Sequence, residues 1–267
     1  MQASHVLQVS TPRPDKQSDA LSRGAGVLVV MPTYNEAASI KSTVGQVLDY
    51  CPEITILVVD DCSPDGTGRI ADALAGQDTR VHVIHRNGPR GLGPAYLAGF
   101  AWGLQGQYCT ICEMDMDGSH RPQDLPRLLQ KLDQADDIDV VIGSRRVAGG
   151  KTVGWPWYRD FISRCGSWYA HRVLHLPIRD ATAGFRAYRA SMLRRLDLQE
   201  VESAGYVFQI DMIRRVQQAG GNIVELPIVF IERRLGASKM GLKIVVEAMV
   251  RVTSWWISRV VADLRSR

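Results

Sequence analysis

The sequence predicts a single α/β domain built around a mostly parallel central sheet, and three observations carry that prediction. Short apolar runs alternate with stretches of helical periodicity through the first half of the chain. Clusters of polar residues stand at the ends of those runs, where open α/β sheets hold their ligands. At 267 residues, 45% hydrophobic and 22% charged, the chain also carries enough apolar material for a sizeable core.

Taken in order, residues 27–31, 54–59, 81–85, 108–114 and 140–143 are apolar runs of strand length. Between them, 37–50, 67–75, 95–104 and 124–132 place apolar residues at helical spacing, as crossover helices between parallel strands require. After Gly143 the pattern loosens. A Gly- and Trp-rich loop over 149–157 precedes a helix over 161–174, a strand over 184–188, a helix over 208–219 and a strand over 223–230. A basic loop and a long terminal helix follow. The domain is expected over 27–240, with an amphipathic helix over 241–267. Residues 1–26, with Pro12, Pro14, Gly24 and Gly26 among polar residues, read as a flexible tail.

Several classes are disfavoured. A net charge of +4 does not call for nucleic acid, and acidic strand ends argue against it. Five cysteines give no even framework of disulfides and point to a reducing compartment. Cys109 and Cys112 form a C-x-x-C inside an apolar run, where they would face opposite sides as buried, inert thiols. No apolar leader segment is evident, and no run reaches the roughly 18 to 20 residues that span a bilayer. The expectation is a cytoplasmic protein, at most peripheral to the inner face of the cell membrane.

Asp115 and Asp117 are the centre of the chemistry. In extended backbone their side chains point the same way, so two carboxylates at a strand end can share one cation. Oxygen ligands suit Mg²⁺ or Mn²⁺, ions that also hold substrate phosphates. Gly118, Ser119, His120 and Pro122 supply turn chemistry opening the next helix, and Ser119 or His120 either completes the metal shell or caps that helix.

The first strand ends in Pro32, Thr33, Tyr34, Asn35 and Glu36, where Tyr34 offers a flat face to a base or ribose. The second ends in Asp60 and Asp61, one more acid than a helix cap uses. The segment from Asn87 to Ala95 only superficially matches a dinucleotide fingerprint. It lacks the third glycine, and Pro94 removes an N–H that a phosphate turn would need. Cations come later: Arg145 and Arg146 follow a strand end, and Arg233, Arg234 and Lys239 surround a Leu-Gly-Ala-Ser turn. Such a basic loop complements a metal-bound diphosphate.

The segments PTYNE, LVVDDCSPDGT, GLGPAYLAGF, EMDMDGSH, GSR, TAGFRAYR, GYVFQIDM and ERRLGASKMG, in this order, resemble the dolichol-phosphate mannose synthases, and most of all the actinobacterial polyprenol monophosphomannose synthases. The likeness covers about residues 27 to 245. It implies the GT-A fold, GDP-mannose as donor, and a polyprenyl phosphate as acceptor. Carried over by position, Pro32, Tyr34, Glu36, Val59 and Asp61 would hold the nucleoside. Asp115, Met116 and Asp117 would lie along the donor, with both acids on the metal. Arg145, Arg233 and Lys239 would contact the diphosphate and sugar. Met116 stands where the family usually has a small residue, and Ser119 where some members have Gln, so the third metal ligand stays open.

The resemblance implies an inverting transfer in which the acceptor phosphate is the nucleophile. Its second pKa near ~6 leaves it largely anionic at neutral pH, so no strong base is required. Other readings of the same motifs are a polyprenyl-phosphate glucosyltransferase using UDP-glucose and a transferase acting on a saccharide. The terminal helix favours a lipid acceptor. Lys243, Glu247, Arg251, Ser254 and Ser258 make one polar stripe, and the wide apolar remainder includes adjacent Trp255 and Trp256. Arg259, Arg265 and Arg267 add attraction to anionic lipid. The helix is therefore expected to lie in the membrane surface, against the alternative that it packs on the sheet or in a dimer interface, and Trp155 and Trp157 to meet lipid or line the acceptor groove. Lack of a spanning segment leaves room for an integral membrane protein to recruit the enzyme.

Overall fold

The computed structural model describes residues 20–201, 205–232 and 242–265. In the first half, five strands alternate with four helices: β1 Val27–Thr33, α1 Ile40–Tyr50, β2 Thr55–Asp60, α2 Thr67–Gln77, β3 Val81–His85, α3 Leu92–Gln105, β4 Thr110–Glu113, α4 Leu125–Asp133 and β5 Val140–Ser144. The second half adds β6 Lys151–Val153, α5 Trp157–Leu174, β7 Arg186–Arg189, α6 Ala190–Arg195, α7 Gly205–Gln218, β8 Ile223–Pro227, β9 Val229–Ile231 and α8 Leu242–Arg265.

Seven strands form one sheet in the order β3-β2-β1-β4-β7-β5-β8. All its pairings are parallel except the two made by β7, which runs antiparallel between β4 and β5. Alternation along each strand sorts the core onto two faces. Leu28, Val30, Leu57, Val59 and Ile111 face a cluster with α3, α5, α6, α7 and α8. Val27, Val29, Met31, Ile56, Val58 and Cys112 face α1, α2 and α4. Helix α1 buries Ile40, Thr43, Val44 and Val47, and α4 buries Leu125, Leu128, Leu129 and Leu132, each a stripe of helical period. Helix α3 approaches the sheet more closely. A Cβ on Gly99 would lie 2.2 Å from a Val30 methyl, and one on Gly103 2.5 Å from a Leu28 methyl. Glycine there lets the helix backbone rest on β1.

The structure departs from the sequence expectations in four places. Residues 20–26, expected in the tail, fold against the domain: Leu21 joins the core, and the Glu53 amide donates to the Arg23 carbonyl at 2.9 Å. The loop over 149–157 contains β6. The strand expected over 223–230 breaks at Ile228, whose amide donates to Ser144 O while its carbonyl accepts from Lys151 N. Beyond that break β9 pairs with β6 in a separate parallel ribbon. Finally, Cys109 is exposed while Cys112 is buried, so only one of the pair is a core thiol.

Candidate active site

Strand order reverses between β1 and β4, which opens a crevice beyond their carboxyl ends. The loop after β1 is fastened to the loop after β2 by three backbone donors. Asn35 N donates to Ser63 Oγ, Glu36 N to Thr67 Oγ1 and Ala37 N to Asp65 Oδ2, each within 3.0 Å. Asn35 takes a left-handed φ of 61°, a conformation Asn tolerates better than most residues. Asp60 is buried and accepts from Thr33 Oγ1, Ser63 Oγ and Ser63 N, so it organises the two loops.

Pro32, Tyr34 and Glu36 stand at this edge, partly exposed. Arg90 lies over the Tyr34 ring at 4.6 Å and donates to its hydroxyl at 2.8 Å. Asp61 is buried, ion-paired to Arg86 and accepting from Gly91 N at 2.9 Å, which ties the β3–α3 loop to the site. Val59 is different. Its side chain is fully buried in the core, so it can meet a nucleoside only through its backbone.

Beyond β4 the backbone alternates: Asp115 and Asp117 are partly exposed, and Met116 between them is 1% exposed in the core. Met116 was expected along the donor with the two acids, and its buried side chain leaves only its backbone to meet one. Its carbonyl accepts from Thr43 Oγ1 at 3.2 Å. Asp117 accepts from Ser119 N at 3.0 Å, closing a tight turn. Ser119 Oγ is enclosed without a hydrogen-bond partner among the described residues. Two carboxylates on one side of the chain with an orphaned hydroxyl beside them fit the oxygen-ligand chemistry of a Mg²⁺ or Mn²⁺ ion.

His120 is buried between Phe185 and Phe230, with ring centroids 5.0 and 5.3 Å away. Burial drives its imidazole down to about 4, against the pull of Asp117. Asp115 N donates to His120 Nδ1 at 3.0 Å, so the ring is neutral with its proton on Nε2. His120 thus supports Asp115 and supplies no positive charge.

Arg145 is buried and held in a fork by Asp180, with Nε–Oδ2 2.8 Å and Nη2–Oδ1 2.6 Å. Nη2 also donates to Thr182 Oγ1 at 2.8 Å. Burial alone would raise the Asp180 carboxyl, but Arg145 beside it holds it below the usual carboxylate range. Arg145 lines the crevice as a neutralised pair, with Trp155 and Phe230 each 5.4 Å from its guanidinium. Arg233 and Lys239 lie outside the described residues.

Further residues of this site lie outside those the sequence motifs single out. Glu113 sits two residues before Asp115 at the buried end of β4. Burial pushes its carboxyl up to about 7, while Arg186 and Gln209 pull it down. Its charge inside an apolar run, in register with the acidic pair, was the available clue. Asp180 and Gln209 had none, because only the tertiary fold brings them here. Arg159, at the start of α5, pairs with Glu232 and packs 4.2 Å from the Trp155 ring.

Fold and crevice together place the protein among the enzymes that move a sugar from a nucleotide carrier. The chain belongs to glycosyltransferase family 2, whose family model matches residues 28–197. It is 53% identical over 241 residues to an undecaprenyl-phosphate mannosyltransferase of Micrococcus luteus, spanning 90% of this chain and 98% of that protein. It is 50% identical over 231 residues to a polyprenol monophosphomannose synthase of Mycolicibacterium smegmatis, spanning 86% of each. Among solved structures, glucosyl-3-phosphoglycerate synthase from Mycobacterium tuberculosis, in complex with Mn²⁺, UDP and phosphoglyceric acid, matches with a TM-score of 0.65 at 17% identity. That match covers 94% of this chain and 84% of that one. A mannosyltransferase from Pyrobaculum calidifontis, in complex with GDP-Man and Mn²⁺, matches with a TM-score of 0.56 at 16% identity, covering 90% of this chain and 65% of that one. These neighbours share the GT-A fold.

Proposed function

We propose that this enzyme transfers mannose, with inversion, from GDP-mannose to the phosphate of a polyprenyl phosphate at a membrane surface. The names of the two relatives support the sugar and the acceptor. The observation that carries the reading is an acidic pair at the switch point, with an exposed aromatic helix starting two residues beyond the crevice wall. Trp155 stands on the crevice wall, and two residues later α5 begins with Trp157, 80% exposed, followed by exposed Tyr158, Phe161 and Ile162. Among the described residues no helix is long and apolar enough to cross a membrane. An apolar surface of this kind suits a lipid acceptor lying in the interface.

In this reading Pro32, Tyr34, Glu36 and Asp61 hold the nucleoside. Asp115 and Asp117, with Ser119 as third ligand, hold a divalent cation that would neutralise the departing diphosphate. Arg233 and Lys239 would contact the same diphosphate. Among the described residues the crevice offers no unoccupied imidazole base, since His120 Nδ1 already accepts from Asp115 N. That suits an acceptor phosphate, which is anionic without one. Thermal-shift titration with Mn²⁺ tests the donor: GDP-mannose should stabilise the protein more than UDP-glucose. Asp115→Asn and Asp117→Asn should each keep the fold and lose transfer by ~100-fold or more. Equal shifts with the two donors, or near-normal transfer by either variant, contradict the proposal.

A further inference from the structure

Where β3 ends, His85 stands between two carboxylates. Its Nε2 lies 2.9 Å from Asp72 Oδ1 on α2, and its Nδ1 faces Asp60 Oδ2 at the end of β2, 3.7 Å away. Gly68 brings the first turn of α2 down onto the pair. A Cβ there would lie 3.0 Å from Asp60 Oδ2 and 3.1 Å from His85 Cε1. A neutral imidazole has one N–H and one lone pair, so in either tautomer it points a lone pair at one of the two acids. Only the doubly protonated ring turns an N–H toward each.

Asp60 needs that cation. Its side chain is 3% exposed, and its hydrogen bonds come from neutral groups: Thr33 Oγ1, Ser63 Oγ and Ser63 N. The elements packed around the ring bring no other charge to it among the described residues. Arg69, the other charged residue of α2, lies by Gly66, and Arg86, next along the chain, is paired to Asp61. Beyond Asp60 itself β2 carries no charge, and α3 carries none. From Asp60 the path to the nucleoside edge is short: Ser63 Oγ, which donates to Asp60, accepts from Asn35 N, between Tyr34 and Glu36. Asp72 foremost, with Asp60 behind it, holds the His85 imidazole above its ordinary value of 6.5.

We infer that His85 is a positioning residue of the donor site: carrying both ring protons it neutralises Asp60, and so holds the Thr33 and Ser63 loops in the form that takes the nucleoside. The inference rests on the assignment of Pro32, Tyr34, Glu36 and Asp61 to the nucleoside, and adds a proton to its binding. Donor affinity is therefore highest while His85 is protonated and falls as pH rises through its pKa, and by reciprocity a bound donor raises that pKa.

Calorimetric titration of the whole enzyme with GDP-mannose and Mg²⁺, without acceptor, from about pH 6 to about pH 9 reads this dependence. GDP-mannose suits the range, because a diphosphate esterified at both ends lacks a terminal phosphate's second ionisation near ~6. Affinity of the unaltered protein should fall about threefold to tenfold, a modest change because His85 is half exposed. His85→Gln should bind about threefold to tenfold more weakly at the acid end and converge to within about twofold at the alkaline end. Asp72→Asn, a change at an exposed carboxylate, keeps the ring and should move the midpoint to lower pH. A merely structural role for His85 would leave a constant gap between the curves. That constant gap, or no gap at the acid end, overturns the inference. If His85→Gln does not fold, an unmoved midpoint in Asp72→Asn overturns it. If UDP-glucose binds and GDP-mannose does not, the donor reading fails alone, and the same curves are taken with UDP-glucose.

Discussion

Three partners converge on Asp160, near the start of α5. Arg146, buried after β5, donates to its Oδ1 at 2.6 Å, Thr152 on β6 donates to the same oxygen, and Arg164 one turn on donates to Oδ2 at 2.6 Å. Partial burial tends to raise this carboxyl, but the hydrogen bonds from Arg164 and Arg146 outweigh it and hold it down at about 2. The sign follows from the unfolded value. Above about 4 the carboxylate is ionised in both states and its stabilisation is fully present, and as pH falls through about 2 that stabilisation is lost. Asp160→Asn should therefore cost about 1–3 kcal/mol near neutral pH, some of it from leaving Arg146 buried without its partner. Denaturant titrations of the two proteins should converge as pH falls from about 4 toward 2. A gap that stays constant over that range contradicts the assignment.

At the scale of elements, the first half was legible because its strands and helices differ in period and its polar clusters mark strand ends. Helix α1 begins later than expected, since the backbone of Glu36 and Ala37 is taken by Thr67 and Asp65. Residues 184–188 were expected as a strand and β7 covers Arg186–Arg189, but hydrophobic alternation carries no sign of direction, so its antiparallel insertion was not legible. Strands β6 and β9 have three residues each, none fully buried, which leaves no pattern to read. Of the site, the acids and the Tyr34 loop were visible as motifs. The pairing of Arg145 with Asp180 and the burial of Met116 and Val59 depend on packing that spacing does not encode. The close approach of α3 to β1 gives a sharp test at this scale. Gly99→Ala must push a methyl against Val30 at 2.2 Å, and overpacking of this kind costs about 1–3 kcal/mol. A drop in Tm of several degrees is expected, and an unchanged Tm would show that the helix does not rest on the strand as described.

For the molecule as a whole, the terminal helix both packs and presents. Val252 enters the core, Trp255 lies 4.8 Å from the Arg214 guanidinium, and Thr253 shares a 2.7 Å hydrogen bond with Tyr169 of α5. The two tryptophans expected side by side at a lipid boundary are thus divided: Trp255 faces inward, and Trp256 is exposed with Met249, Val250, Ile257 and Val261. Deleting the helix would uncover the core that Val252 packs into, so substitutions of exposed tryptophans on α5 and on the terminal helix are the cleaner probe. Trp157→Glu combined with Trp256→Glu should leave the Tm unchanged and weaken sedimentation with anionic liposomes at least tenfold, since each buried aromatic contributes about 1.5–3 kcal/mol. Sedimentation equal to that of the unaltered protein would show that this face is not the lipid-binding one.

The central claim is a reaction, and its product is the most direct measure of it. The protein, incubated with GDP-mannose labelled in the sugar, a long-chain polyprenyl phosphate and Mg²⁺ or Mn²⁺, should move the label into the organic phase as a β-linked mannosyl phosphate of the lipid. Asp115→Asn, treated alike, should leave it in the aqueous phase. Label that stays water-soluble with the intact enzyme, or enters lipid faster from UDP-glucose than from GDP-mannose, would contradict the account.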